Sequence, residues 1–383
     1  MNPSKILGHF NSRQNAIIES IREIVEIETP SRDVENSKAV VDWIVAKARD
    51  ISPYLQIERI AAENYGEHLV IRAFPAKERS ILLLGHTDTV HPVGTKAENP
   101  TRIGGDKFYG CGIFDMKANV VLMLETLRFF AETELRPARP ITILLSCDEE
   151  IGSYTGRGLV EREAKKVEMC LVLEPSAEGR VKTGRKGTGM FTVKTHGTPA
   201  HAGLEPEKGS SAILELSKQI ERIHSLNNLS KGTTVNVCTV KGGTTTNVIP
   251  EHAECSVDVR FSSMGEAVRI ERELRNLRVV DKRVSLEIVG GVNRPPMERT
   301  EKVADLFKRA RNIAAGFDYV LGETRVGGAS DGNFVAALGV PVLDGLGISG
   351  DGAHTLHEHI LISDIAKRAA LVTVMLMEDG GGR

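Results

Sequence analysis

The chain has 383 residues, more than one ordinary core accommodates, so two domains are expected. Hydrophobic residues make up 41% and charged residues 26%, as in an ordinary globular protein, and 49 basic against 51 acidic residues leave a formal net charge of −2. That balance gives no electrostatic reason to bind nucleic acid, and aromatics at 4% offer few stacking platforms for bases. The opening residues lack the apolar segment of a signal peptide, and no run approaches the roughly 18 apolar residues of a membrane span. Five cysteines stand apart at 111, 147, 170, 238 and 255, without a CxxC pair. They read as reduced thiols, and the expected location is the cytoplasm.

Ile17, Ile21, Ile24 and Val25 share one helical face, and Thr29-Pro30-Ser31 ends that helix. Val40, Trp43, Ile44 and Ala48 mark a second. Strands and helices then alternate: a strand at 81–84, a helix at 117–130, a strand at 141–145, a helix at 156–164 and a strand at 170–173. This alternation predicts an α/β layer fold around a mostly parallel, largely buried central sheet. Beyond about Val181 the pattern becomes β-α-β-β-α-β, with strands at 190–195, 234–240, 253–261 and 284–289 and helices at 211–223 and 265–277. That order is the split βαβ unit of a small ferredoxin-like α+β domain. Asn293-Arg294-Pro295-Pro296 reads as a linker. A helix at 301–315, a strand at 340–343 and a helix at 363–377 complete the first domain. The expected division is 1–181 and 293–383 for one large domain, with 182–292 inserted into it as a small second domain. The run Gly380-Gly381-Gly382 is the one low-complexity tract.

Chemistry concentrates where apolar strands end. LLLGHTDTVHPVG sets His86 and Asp88 just past one strand, where open α/β sheets hold ligands. An imidazole there can hold a metal with Asp88 orienting it; a solvated loop is the plain alternative. In YGCGIFDMK, Asp115 precedes an apolar helix and on its own reads as an N-cap. LLSCDEEIGS crowds Asp148, Glu149 and Glu150 at a strand end, where they need a cation or free solvent. If one binds metal, its neighbour can act as general base. Glu174 follows a third strand in LVLEPS. GDGAHTLHEHI carries His354, His357 and His359, of which two read as surface histidines.

Together these segments resemble the M20 metallopeptidase family, and within it the glutamate carboxypeptidase group. GHTDTV, GCGIFDMK, DEEIGS, the Glu of LVLEPS and the late GAH match that family's motifs in order along nearly the whole chain. The resemblance implies that Asp115 bridges two divalent metals. His86 and Glu174 complete one site, Glu150 and His354 the other. Glu149 becomes the general base and Asp88 orients His86. Oxygen and imidazole donors without thiolate suit Zn²⁺, with Mn²⁺ or Co²⁺ as alternatives. The resemblance also makes the large domain (1–181 and 293–383) catalytic and the inserted domain (182–292) a lid that carries dimerisation. In that lid, THGTPAHAG places His201 where the family has a histidine that polarises the scissile carbonyl from a partner subunit, which implies a homodimer. Asn247 in TTTNVIP and Arg260 in SVDVRF match positions near the substrate, and Arg294 in VNRPP matches a residue binding the substrate carboxylate, a group suited to an arginine fork. The plain alternatives are a strand-surface charge for Arg260 and a solvated linker residue for Arg294. Ser330 and Asp331 in GGASDG resemble a substrate-loop motif without an assigned role.

Glu174, where aminopeptidases of the family usually have Asp, points to carboxypeptidases and deacylases. The expected activity is release of a C-terminal amino acid, glutamate being the first candidate, from an N-acyl-amino acid or short peptide. The alternatives are an acetylornithine- or succinyl-diaminopimelate-type deacylase, and a catalytically silent metal- or peptide-binding protein on the same scaffold. Cys147 departs from the small residues usual in relatives before the acidic run.

Overall fold

The computed structural model describes residues 3–378, so the Gly380–Gly382 run lies outside it. In chain order the first part contains α1 (Pro3–Val25), α2 (Val34–Ile51), β1 (Gln56–Ala62), β2 (Gly66–Ala73), β3 (Ser80–His86), α3 (Ala118–Glu132), β4 (Ile141–Ser146), α4 (Gly156–Ala164) and β5 (Val167–Val172). A middle part follows with β6 (Gly187–His196), α5 (Ala212–His224), β7 (Thr234–Gly242), β8 (His252–Phe261), α6 (Met264–Arg275) and β9 (Ser285–Arg294). The chain ends with α7 (Glu301–Ala315), α8 (Gly332–Ala337), β10 (Val342–Leu343) and α9 (Ile362–Met377). Among the described residues no helix is long and apolar enough to cross a membrane.

The chain forms two compact units. Among the described residues, one comprises those up to Gly184, Arg299–Arg325 and those from Ser330 onward; the other comprises Arg185–Glu298 and Val326–Ala329. In the first, six strands lie in the order β1-β2-β4-β3-β5-β10. Strands β4, β3, β5 and β10 run parallel, and β2 alone opposes the rest. The fold is thus α/β with a mostly parallel central sheet. Every residue of β4 and all but the first of β3 are buried. Successive side chains point to opposite faces, so both faces of these strands are covered. The first helix forms where the 3.6-residue spacing predicts it, with Ile17, Ile21, Ile24 and Val25 all buried. Asp33 caps α2 by accepting from the backbone N–H of Asn36.

The β1–β2 hairpin is absent from the sequence-based reading. Strand β1 is an edge strand whose residues are mostly exposed or half-buried, so its sequence carries little alternation. The turn is made by Asn64 and Gly66, both at positive φ.

In the second unit the strands order as β7-β8-β6-β9, all antiparallel, with α5 and α6 packed against them. This is the order of a ferredoxin-like sheet. Strand β9 runs five residues beyond the expected 289 and ends on Arg294 itself, paired with Thr188. Gly290 and Gly291 hide the strand in the sequence. Gly290 has φ +100°, and a Cβ there would lie 2.1 Å from the Met190 carbonyl oxygen. Arg294 is 7% exposed, so the solvated-linker alternative fails.

Candidate metal centre

Strands β4, β3 and β5 are parallel neighbours, so their carboxyl ends lie side by side. His86 is the last residue of β3, Glu149 and Glu150 lie on a short turn just past β4, and Glu174 lies two residues past β5. The sheet therefore gathers three sequence segments at the carboxyl ends of its strands, as open α/β sheets do.

His86 is 1% exposed. Its Nδ1 lies 2.9 Å from the carbonyl oxygen of Asp88, an acceptor only, so Nδ1 carries the proton and Nε2 offers its lone pair. That Nε2 lies 3.1 Å from Asp115 Oδ1 and 3.4 Å from Glu174 Oε1. On the other side, His354 Nε2 lies 3.5 Å from Asp115 Oδ2 and 3.2 Å from Glu150 Oε2. Asp115 thus presents one oxygen to each histidine. Donor atoms of His86, Asp115 and Glu150 all lie within 4.8 Å of one another, as do those of His86, Glu149 and Glu174.

Asp115 is not the N-cap that its position suggests. The helix cap is Lys117, without a side-chain capping bond, and the Asp115–Met116 peptide is cis. Gly112 shapes the approach with φ +67°; a Cβ there would lie 2.3 Å from Thr89 Cγ2. Of the three late histidines only His354 meets the carboxylates. His357 is exposed; His359 is buried, its Nδ1 against the His357 carbonyl and its ring against Tyr109, so it is no surface residue.

The acidic triplet separates. Asp148 is fully buried and accepts from Thr155 N and Oγ1 and from Gly156 N at the start of α4. It anchors the turn instead of joining the cluster. Glu149 and Glu150 turn to the cluster, and both are largely buried, which removes the solvated-turn alternative. Asp88 does more than face His86. Its carboxylate accepts from the backbone N–H groups of Glu149 (3.1 Å) and Glu150 (3.2 Å) and from Ser31 Oγ (2.6 Å). One buried carboxylate therefore positions two segments of the centre.

The donor set fits divalent cations. Four carboxylates meet two imidazoles, with one buried oxygen, Glu150 Oε1, left without a hydrogen-bond partner. The carboxylates draw positive charge toward both histidines. Asp115 and Glu150 raise the His354 pKa to about 10. Burial opposes a charge on His86, but Asp115, Asp88 and Glu174 outweigh it and raise its pKa well above the ordinary value. Burial raises Glu150 to about 6 although His354 offsets part of the effect. Carboxylate oxygens and imidazole nitrogens grouped this way suit divalent cations.

Sequence reasoning missed Glu358, which lies between His357 and His359. It is fully buried. Oε1 accepts from Phe114 N and Asp115 N, and Oε2 from Gly112 N, each at 2.9 Å. His91 Nε2 lies 2.7 Å from the same Oε2. The carboxylate therefore holds the backbone of the loop carrying Asp115. A Gln at 358 would turn an amide donor toward the Gly112 N–H, and each buried donor left unpaired costs about 1–3 kcal/mol. Glu358→Gln is expected to weaken metal binding about 10–100-fold, the usual cost of losing an outer partner. Competition with a chromogenic chelator measures it; unchanged affinity would contradict this role. Asp331 is a second missed brace, accepting from Ser146 Oγ and Ser153 Oγ around the acidic turn, while Ser330 Oγ donates to Asp344. Only the short polar side chains of GGASDG hinted at it.

The candidate residues of the second unit have their own local settings. His201 is exposed, and its Nδ1 accepts from Gly203 N and Leu204 N, which leaves the proton on Nε2. Asn247 lies on the adjacent loop, its backbone carbonyl accepting from Ala202 N and its Oδ1 from Thr245 Oγ1. Arg260 is engaged by Asp258 through two nitrogens, at 2.9 and 2.8 Å, which favours the strand-surface alternative.

The profile of "Peptidase family M20/M25/M40" matches residues 82–378. Carboxypeptidase G2 of Pseudomonas sp. (strain RS-16) is 30% identical over 378 residues, covering 97% of this chain and 91% of that protein. A succinyl-diaminopimelate desuccinylase of Verminephrobacter eiseniae is 28% identical over 309 residues, covering 75% of each. The fold matches the crystal structure of aminopeptidase PepT from Bacillus cereus with a TM-score of 0.76 at 21% identity, over 95% of this chain and 98% of that one. The chain belongs to peptidase family M20/M25/M40 and is a metal-dependent hydrolase.

Proposed function

We propose that this protein is a two-metal amidohydrolase that releases a C-terminal amino acid, glutamate first among candidates, from N-acyl-amino acids or short peptides. The observation that carries the reading is the Asp115 carboxylate, with one oxygen facing His86 and the other facing His354. His86 and Glu174 would hold one cation, Glu150 and His354 the other, with Asp115 shared. Zn²⁺ suits these donors, as do Mn²⁺ and Co²⁺. Bound there, the cations supply Lewis-acid polarisation of the amide carbonyl and acidify water.

The remaining steps belong to side chains of this chain. Glu149, beside the cluster and 9% exposed, takes a proton from the attacking water and delivers it to the leaving nitrogen. Asp88 keeps the backbone of Glu149 and Glu150 in place. Arg294 receives the substrate carboxylate through its fork. His201, protonated on Nε2 by virtue of its Nδ1 contacts, donates to the scissile carbonyl of a substrate held by a second copy, with Asn247 beside it. We assign the homodimer to the lid. Exposed Ile213 and Leu214 on α5 and Val240 on the edge strand β7 support that surface. Five free cysteines, four of them buried, support a reducing compartment such as the cytoplasm.

A deacylase acting on succinylated or acetylated amino acids is the second reading, favoured by the desuccinylase relative. Measurement of free amino acid released from a panel of N-acyl amino acids and dipeptides, with added metal and with chelator, tests both. Chelator-sensitive release from N-acyl-glutamates above the others supports the first reading. Preference for succinylated or acetylated basic amino acids moves the assignment to the second. No release with any metal overturns both.

A further inference from the structure

Strands β6 and β8 pair in a register that sets His196 directly opposite His252. Opposed side chains on one face of an antiparallel pair are close enough to share a ligand. The two rings meet edge to face, with centroids 5.2 Å apart, and their Nδ1 atoms are 3.1 Å apart. Each outer nitrogen faces a carboxylate. His196 Nε2 is 3.8 Å from Glu287 Oε2, and His252 Nε2 is 3.6 Å from Glu251 Oε2. Lys194 shares Glu287 at 3.7 Å. Both histidines are partly exposed, so an ion can reach them from solvent.

Glu287 and Glu251 lie on the Nε2 side of the two rings, and the Nδ1 atoms face each other. The pair closes either as one Nδ1–H donating to the other Nδ1 or, with the proton of each ring on Nε2, as two Nδ1 lone pairs facing one gap that a cation can share. A metal ion satisfies both rings while they stay neutral. Two imidazole nitrogens about 2.0–2.1 Å from one ion and 3.1 Å from each other subtend about 95–102° at that ion. This lies between a square-planar and a tetrahedral angle, so the spacing suits Cu²⁺, Ni²⁺ and Zn²⁺ alike. A carboxylate behind each ring is the usual arrangement for a metal-ligating histidine.

We propose that His196 and His252 form a binding site for one divalent transition cation on the lid sheet, with Glu287 and Glu251 orienting the rings. None of these four residues belongs to the candidate catalytic centre. Water completes the coordination, and Cu²⁺ binds more tightly than Ni²⁺ or Zn²⁺.

The test uses the full chain carrying its own metals. Equilibrium dialysis against Cu²⁺ counts the copper taken up, and electron paramagnetic resonance reads the coordinating nitrogens. The wild type is expected to bind one more Cu²⁺ than His196→Gln and one more than His252→Gln. The two-nitrogen signature should be lost in both variants. Glu287→Gln should weaken uptake about tenfold or more. Loss of the extra copper in only one histidine variant, or in neither, overturns the proposal. Because each comparison is a difference at constant catalytic residues, the outcome does not depend on the reading of the catalytic centre.

Discussion

Glu149→Gln is expected to lower kcat by about 10²–10⁴, the range for losing a general acid–base group, with metal content unchanged. The substitution keeps the shape of the side chain and removes its basicity. A second role for Glu149 is sterically open, because its carboxylate lies within 4.8 Å of donor atoms of His86 and Glu174. The two roles separate cleanly. A ligand lost at this position would lower metal content along with kcat. A base lost would lower kcat alone. Steady-state kinetics combined with metal analysis of the same sample decides between them, and a fully active variant contradicts both.

Asp115→Ala is expected to remove both metals and to lower activity by more than about 10²-fold, since even an outer partner costs 10–100-fold. The argument is geometric. The two oxygens of Asp115 face different histidines, His86 at 3.1 Å and His354 at 3.5 Å. A shared ligand should cost both ions. His354→Ala, by contrast, should cost one, because His86 and Glu174 remain. The metal-free state should change as well. With Asp115 gone, His354 loses the largest contribution holding its pKa near 10, and only Glu150 remains to raise it. Metal analysis of both variants checks the contrast; one ion retained by Asp115→Ala would contradict the shared-ligand role.

The candidate centre was legible in the sequence because of a simple physical asymmetry. The runs at 81–84, 141–145 and 170–173 are apolar enough to be buried strands, and each ends in groups that burial penalises. Strand order then brings His86, Glu149, Glu150 and Glu174 together at the carboxyl ends of the strands. Spacing alone could not show which way each side chain turns. Asp148 reads like its two neighbours, yet it points to Thr155 and Gly156. Glu358 was invisible because its partners are backbone N–H groups of a loop more than 240 residues away, and backbone donors leave no mark in a sequence. Arg294 read as a linker because the glycines before it and the prolines after it mask a strand. The edge hairpin β1–β2 was missed because an exposed strand needs no apolar alternation.

Crystals soaked in Zn²⁺ and measured for anomalous scattering at the zinc edge test the central claim most directly. Two peaks are predicted, about 3.5–4 Å apart, one on each side of the Asp115 carboxylate. One should contact His86 and Glu174, and the other Glu150 and His354, with Glu149 on neither. A single peak would contradict the two-metal assignment, and a peak coordinated by Glu149 would contradict its role as the base.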